Sequence, residues 1–574
     1  MVMLLWRVGM AQQADRPPAP ATRIFLIQNA RIVQAPGKVL EKGAVLIENG
    51  LITQVGTNLT APYDAQIIKA DSMTVYAGFI DGFSMIAQSK PKDEPLPRIP
   101  RPAEPTFERA GITPHRDVRS FLKPDENSVE EWRNLGFLAA QVVPYGQMMP
   151  GETALILMGG DSPSKMVLIP HLAQAGQFAA AARGQGQGVY PSNILGIMAM
   201  WRQAFLSAKR NMQYEAQYEK NRMGMSRPEY DPVLTALYPV VKGEQSVAFF
   251  TEDQLGALRF LRLRDELGFR GELYGLRNGF EILSTLKTAN LPIFLSLNLP
   301  EEPKAAADST KTPEAGKRTE KPSDVAAETA RLRQRQTQVR NQYYAQAATF
   351  QQAGIPFGFT TREAKSSSIR KAFTLMLKNG LREDDLLAAL TVTPARLLGA
   401  EAQLGSIEKG KVANLILADG PIFAEKTQIR TVFVDGKPTY YPIAKPAGNE
   451  GGRAKETPKQ GERPKDAPKQ PENRNKAAIG TWKLSVMTPN GEETATLILK
   501  EAADALAGSV KTSDGQDMRA EKIKLNGTNL TLTVTGASFS ADLDVILKGD
   551  TLEGTATVSG NALPLTGTRT SKPE

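Results

Sequence analysis

The sequence predicts an α/β protein in which a TIM-like β/α barrel is flanked by strands forming one composite β-sandwich, followed by a C-terminal antiparallel β-barrel or sandwich. Three observations predict it. Over residues 78–403, apolar β-type runs alternate with helical periods, the texture of a parallel α/β array. Strand-rich segments at 22–77 and 404–441 bracket that array, and neither is long enough to bury a core alone. Residues 478–574 read as short strands and turns behind a charged, Pro-rich linker at 442–477.

Composition fits this reading and excludes several chemistries. Of the 574 residues, 41% are hydrophobic and 23% charged, ordinary values for a globular protein with a sizeable core. Cysteine is absent, so disulfides, thiolate metal sites and Cys nucleophiles are excluded. The net charge of +9 owes much to the linker, where residues 445–476 hold nine Lys or Arg against five Asp or Glu, a net of +4. Mixed charge with Pro and Gly is solvated linker rather than a nucleic-acid arm, and no nucleic-acid partner is expected. Residues 1–21 combine a short apolar run, Met3-Leu4-Leu5-Trp6, with small residues near Ala11 and a Pro-rich stretch. That pattern has the texture of a secretory signal, which would place the protein in the periplasm or outside the cell; a disordered tail on a cytoplasmic protein is the alternative. No stretch approaches the roughly 20 apolar residues of a membrane span.

Taken in order, Ile24–Ile27, Ala30–Val33 and Ala44–Ile47 are β-type runs, and Asn49-Gly50 turns the chain into a returning strand at Leu51–Val55. In the central array, Leu138–Val143, Thr153–Met158, Val247–Phe250 and Pro292–Leu297 read as strands, with a helix over Glu252–Leu267 carrying Leu255, Leu258, Leu261, Leu263 and Leu267. Residues 300–323 are Lys-, Glu-, Ala- and Pro-rich and read as a disordered insert, after which helical pattern resumes over Val325–Gln352. Val412–Ala418 and Thr431–Val434 restore strand texture. Beyond the linker, eight candidate strands run from Thr481 to Thr568, and Gly480-Thr481-Trp482 resembles the opening of a lipocalin.

The chemistry rests on Tyr76-Ala77-Gly78-Phe79-Ile80-Asp81-Gly82-Phe83-Ser84-Met85. This run resembles the first barrel strand of the amidohydrolase superfamily, which reads roughly P-G-F-I-D-x-H-x-H in active members. Two His at a spacing of two lie on one side of a strand, so both reach one metal ion. Here Gly78, Phe79, Ile80 and Asp81 match, while Phe83 and Met85 stand in the His places. A phenyl ring has no lone pair to give, and a thioether is a poor ligand for Zn²⁺. Leu404–Leu415 resembles the family's L-G-S-I-x-x-G-K-x-A-D-L, with Asn414 in the Asp place. Thr391–Ala395 resembles T-x-N-P-A with Thr393 for Asn, and Gly354–Thr361 resembles the last barrel strand, with Thr361 where the resemblance places the metal-binding, general-base Asp. The resemblance spans residues 24–440 and is nearest to imidazolonepropionase-like amidohydrolases.

What the resemblance implies is a family activity, hydrolysis of C–N bonds, and a missing ligand set. The chain holds only two histidines, His115 and His171, fewer than the four such a site uses, and both fall outside the matching strand ends. Their places, in a loop or helix start and at the head of a helix-like run, suit surface or capping roles. No catalytic residue, metal ligand or cofactor is assigned; Phe83, Met85 and Thr361 are the vestigial metal-site positions, and Asp81 is the retained motif residue. Glu252, Asp253 and Arg362 fall near strand ends, where they could line the barrel mouth, and read first as solvated surface. The leading expectation is a pseudoenzyme acting by binding or by pairing, as a homo-oligomer or as a heteromer with an active amidohydrolase. The alternatives are a metal-independent hydrolase of cyclic amide or peptide-like substrates, and a ligand-binding module in the C-terminal barrel. Limited proteolysis is predicted to cut within residues 445–476 and release a stable fragment of roughly 100 residues; immediate digestion of that fragment would contradict an independently folded module.

Overall fold

The computed structural model describes residues 23–91, 96–124, 127–160, 162–182, 188–302, 324–441 and 478–571, apart from short turns within the last stretch. The signal-like segment, most of the 300–323 insert, most of the Gly-rich 184–188 stretch and the 442–477 linker lie outside the described residues. The chain divides into two compact units, Met1–Gly448 and Asn449–Glu574.

In the first unit, the two flanking segments share one sheet. Its N-terminal strands are β1 (Ile24–Ala35), β2 (Lys38–Glu48), β3 (Leu51–Gly56), β4 (Gln66–Lys69) and β5 (Thr74–Ala77). Its order is β17-β16-β15-β5-β1-β2-β3, with β4 beside β1 and with β15 (Leu415–Ala418), β16 (Ile429–Val434) and β17 (Lys437–Tyr440) supplied from the far end of the unit. The seam is the antiparallel pair β5–β15, Ala77 opposite Leu415 and Val75 opposite Leu417. The sheet curls until its ends approach: Leu51 bridges Val412, and Ile52 donates its N–H to Lys411 O at 2.8 Å. Phe25, Ile27, Ile47, Leu415, Leu417 and Phe433 fill the fold of the curl, with the Phe25 and Phe433 rings edge to face at 5.6 Å. Asn414 is buried at the seam, where its Oδ1 accepts from Asp435 N and its carbonyl accepts from Gly78 N. Asparagine there makes contacts a carboxylate could make only in part, since Nδ2 also points at Leu138 O, 3.5 Å away.

The central residues form two further sheets. One runs β6 (Phe79–Ser84), β7 (Phe137–Val142), β8 (Ala154–Leu157), β9 (Val167–Ile169); the other is parallel throughout, β10 (Ala173–Gln177), β11 (Ser246–Phe250), β12 (Gly271–Leu276), β13 (Ile293–Ser296), β14 (Gly358–Thr360). The sheets meet at both edges. Thr153 and Ala173 exchange a backbone contact at 2.8 Å, and Thr360 Oγ1 on β14 donates to Phe83 O on β6 at 2.5 Å. Helices cover the outer faces: α1 (Ile194–Lys220), α2 (Gln254–Leu267), α3 (Asp324–Gln352) and α4 (Ser366–Lys378).

Three expectations need correction. Between β7 and β10 the alternation of strand and helix is broken by β8 and β9, which run antiparallel. Residues after His171 do not begin a helix: Ala173–Gln177 is β10. On α2 the buried face is Ala257, Phe260, Leu261 and Leu263, whereas Leu255 and Leu258 are exposed. Phe260 took the place that a count of leucines alone gave to Leu258, because its ring stacks on Phe249 at 4.3 Å.

The second unit is a closed barrel of eight antiparallel strands from Gly480 to Ser571, each paired with its chain neighbour and the first paired with the last. Alternate residues point inward, so Trp482, Leu484, Leu497, Leu499, Leu530 and Leu565 form one buried cluster. Trp482 Nε1 donates to Ala478 O at 2.9 Å, and the Arg569 guanidinium lies 4.3 Å from its ring centroid. Closure removes the sheet edges that eight exposed strands would otherwise present.

The composite sheet yields a direct test. Phe433→Ala deletes a fully buried ring at its centre and should lower stability by about 3–5 kcal/mol in denaturant unfolding; a loss below about 1 kcal/mol would mean the curled sheet has no shared core.

Candidate functional site

The site lies at the C-terminal ends of β6, β10, β11 and β14. Period-two alternation on β6 puts Phe79, Asp81 and Phe83 on one face. Gly82 between them is required by close approach, because a Cβ there would sit 2.1 Å from the Phe294 ring. Phe83 is fully buried. Its ring stacks on Phe250 at 5.9 Å and meets Tyr274 at 5.0 Å, and Tyr274 in turn stacks on Phe294 at 4.6 Å. Met85 follows the strand and is partly buried. The position matched to the first-strand ligand pair thus lies within a four-ring aromatic ladder, Phe250–Phe83–Tyr274–Phe294.

Across from it, the chain leaves β14 through Thr360, Thr361 and Arg362. Asp81 is fully buried and accepts three hydrogen bonds: from Phe83 N at 3.2 Å, from Thr361 N at 3.0 Å, and from the Thr361 hydroxyl. Burial pushes the Asp81 carboxyl up to about 6, against the pull of these donors. Asp81 and Thr361 spend their polar groups on each other and so tie β6 to β14. Arg362 turns inward, contrary to the solvated role its sequence position suggested, and only 8% of its side chain is exposed. Its guanidinium lies 4.0 Å from the Phe250 ring centroid and 5.2 Å from that of Phe83. Nη2 donates to Gln177 Oε1 at 2.6 Å, while the Gln177 amide donates to Gly146 O and Gln147 O. Burial lowers the Arg362 pKa to about 10, which leaves it charged at neutral pH.

Further down the same strands, Glu272 accepts from Ser246 Oγ at 2.5 Å and from the Tyr274 hydroxyl at 2.6 Å. The residue keeps some exposure as a whole, but desolvation of its carboxyl raises its pKa and that of the Tyr274 phenol above their ordinary values. The histidines lie elsewhere. His115 is 3.6 Å from Glu108 in a loop. His171 Nε2 faces the Arg119 guanidinium at 3.2 Å, so it accepts, and Nδ1 donates to Glu152 at 2.6 Å. Among the described residues no three His, Asp or Glu side chains are grouped so as to hold a metal ion. At the strand ends the donors present are an already committed carboxylate, two hydroxyls, an amide and a cation, and this set does not fit a catalytic zinc.

Gln177, Phe250 and Tyr274 were missed as site residues, and Arg362 was ranked as surface ahead of a mouth-lining role. Arg362 carried the one usable signal, since it directly follows Thr361 in the position matched to the family's last strand. The others come from strands with no recognisable motif.

Residues 306–439 match the model of the amidohydrolase family. Among solved structures, an amidohydrolase from Thermotoga maritima MSB8 aligns with a TM-score of 0.56 at 20% identity, covering 73% of this chain and 100% of that chain. A prolidase complexed with N-methylphosphonate-L-proline aligns at 16% identity and a TM-score of 0.43, and a Xaa-Pro dipeptidase with methionine in its active site at 15% and 0.41, each covering 73% of this chain and 100% of its own. No curated protein matches the sequence. Over the aligned 73% of its chain the protein therefore has the fold of the Thermotoga amidohydrolase.

The buried carboxyl gives a pH prediction. Between about pH 4 and pH 6 the unfolded chain releases the Asp81 proton while the folded chain retains it, so this group's contribution to stability falls as pH rises. A pKa moved from 3.8 to about 6 corresponds to about 3 kcal/mol at neutral pH. Relative to Asp81→Asn, the wild type should lose about that much between pH 4 and pH 7 in parallel unfolding titrations; a constant difference between the two proteins would show that Asp81 does not titrate this way.

Proposed function

We propose that the protein is an amidohydrolase-superfamily member, nearest to the imidazolonepropionase-like group, that no longer performs metal-dependent hydrolysis and acts by binding or by pairing with an active relative. In this reading the parallel strands β6, β7 and β10–β14 close into a TIM-like barrel, with Phe83, Met85 and Thr361 as vestigial metal positions. One observation carries it: the Phe83–Phe250 stack capped by Arg362 fills the strand ends with rings and a fixed positive charge. A dication placed beside a buried guanidinium would meet like-charge repulsion in a poorly screened setting. The Asp81–Thr361 pair supports the same reading, because its carboxylate is turned to holding two strands together. Export to the periplasm or beyond, through the signal-like residues 1–21, belongs to this proposal. Among the described residues no helix is long and apolar enough to cross a membrane.

The test is a hydrolysis screen of amides, lactams and dipeptides with purified protein, with and without added Zn²⁺. Rates should equal those of buffer for the wild type and for Phe83→His/Met85→His, since the middle-strand ligands and the carboxylate base are missing too. Zinc-dependent turnover by the wild type would overturn the proposal.

A further inference from the structure

Beside the sealed strand ends lies an open cleft of 830 Å³, formed by the loops that follow β11, β12 and β13 on one side and helix α3 on the other. We propose that this cleft binds a small organic anion, carboxylate or phosphate in class, between Arg277 and Arg340. The inference deepens the binding reading above and names its ligand class.

A buried arginine donor without a hydrogen-bond partner lines this cleft. Arg277 stands just past β12, and its nearest carboxylate, Glu252, is 3.6 Å away, too far for a hydrogen bond. Both Arg277 Nε and Glu252 Oε1 are buried with no hydrogen-bond partner. Closed pairs such as Arg202–Glu266 at 2.6 Å and Arg382–Asp385 at 2.7 Å show the distance a completed contact reaches. Buried polar atoms left unpaired cost free energy, and a pair so loosely closed is completed by a third group. Helix α3 contributes Arg340, whose Nη2 donates to Thr337 of its own helix, together with Arg335 and Tyr343. Two acceptors of the cleft are committed, since Asp253 caps α2 through Gly256 N at 2.7 Å and Asn278 Oδ1 accepts from Gln254 N at 2.9 Å, while Glu252 and Glu301 also line it and confine the anion to the arginine side. Guanidinium groups lining one cleft can each take an oxygen of a carboxylate or phosphate. Val339 and Tyr343 add apolar surface to the same wall, with the Tyr343 ring held edge to face by Phe280 at 5.8 Å. That surface favours an organic ligand over a bare inorganic ion.

Calorimetric titration of the full chain with succinate, and separately with inorganic phosphate, tests this against Arg277→Gln, Arg340→Gln and the control Arg202→Gln. The account predicts saturable one-site binding, tighter for succinate, that weakens at least about tenfold in each cleft variant and is unchanged in the control. Arg340→Gln lies on a partly exposed helix position, so it keeps the test valid if Arg277→Gln perturbs β12; thermal unfolding of each variant verifies folding. Tighter binding of phosphate with the same mutational pattern would still support the anion site and assign a phosphoryl ligand. Absence of saturation with both probes, or equal binding by all four proteins, would overturn it. The readout does not involve hydrolysis or metal, so a zinc-dependent activity would defeat the preceding proposal without deciding this one.

Discussion

The Arg362 guanidinium, held against the faces of Phe250 and Phe83 and pinned by Gln177, is the contact on which the arrangement of the strand ends depends. A buried cation is expensive, and no single partner here offsets it. The offset is distributed: two aromatic faces, each worth on the order of 1–2 kcal/mol when desolvated, a charge-assisted hydrogen bond to an amide that is itself fixed by two backbone carbonyls, and Glu363 at 3.6 Å. Because Gln177 ends β10, Phe250 ends β11, Phe83 lies near the end of β6 and Arg362 follows β14, one side chain ties four strands from distant parts of the sequence.

That constraint explains why the first-strand motif survives in part. Asp81 of the motif and the neighbouring Gly82 both have structural roles. Asp81 is the acceptor through which β14 docks on β6, and Gly82 leaves the gap that Phe294 fills. Phe83 stands in a run of four rings, so the strand ends are packed without a void that would destabilise the sheet. Binding capacity then moves sideways, to the cleft where Arg277 and Glu252 fail to close on each other.

Legibility in the sequence followed locality. The composite sheet could be read from two strand-rich flanks because each carries turn residues and period-two alternation of its own, and the C-terminal barrel because every strand pairs with its chain neighbour. The helix α2 was readable, but its buried face was not, because leucine counts do not say that Phe260 stacks on Phe249. The antiparallel excursion of β8 and β9 was hidden because short apolar runs carry no direction. The site was half legible: motif comparison located Asp81, Phe83 and Thr361, whereas Arg362 was set aside as surface because charge normally means solvent. Only the tertiary placement of Phe250 and Gln177, over 70 residues apart from one another and farther still from Arg362 in the chain, shows what shelters it.

The central claim is that a ring and a guanidinium occupy the strand ends to the exclusion of a metal ion. The most direct measurement is elemental analysis of protein purified with added Zn²⁺, combined with diffraction at the zinc absorption edge. The account predicts less than stoichiometric metal, no anomalous peak at the ends of β6 and β14, and the Arg362 guanidinium lying over Phe250 and Phe83. One zinc ion per chain at those strand ends, with Arg362 displaced, would contradict it.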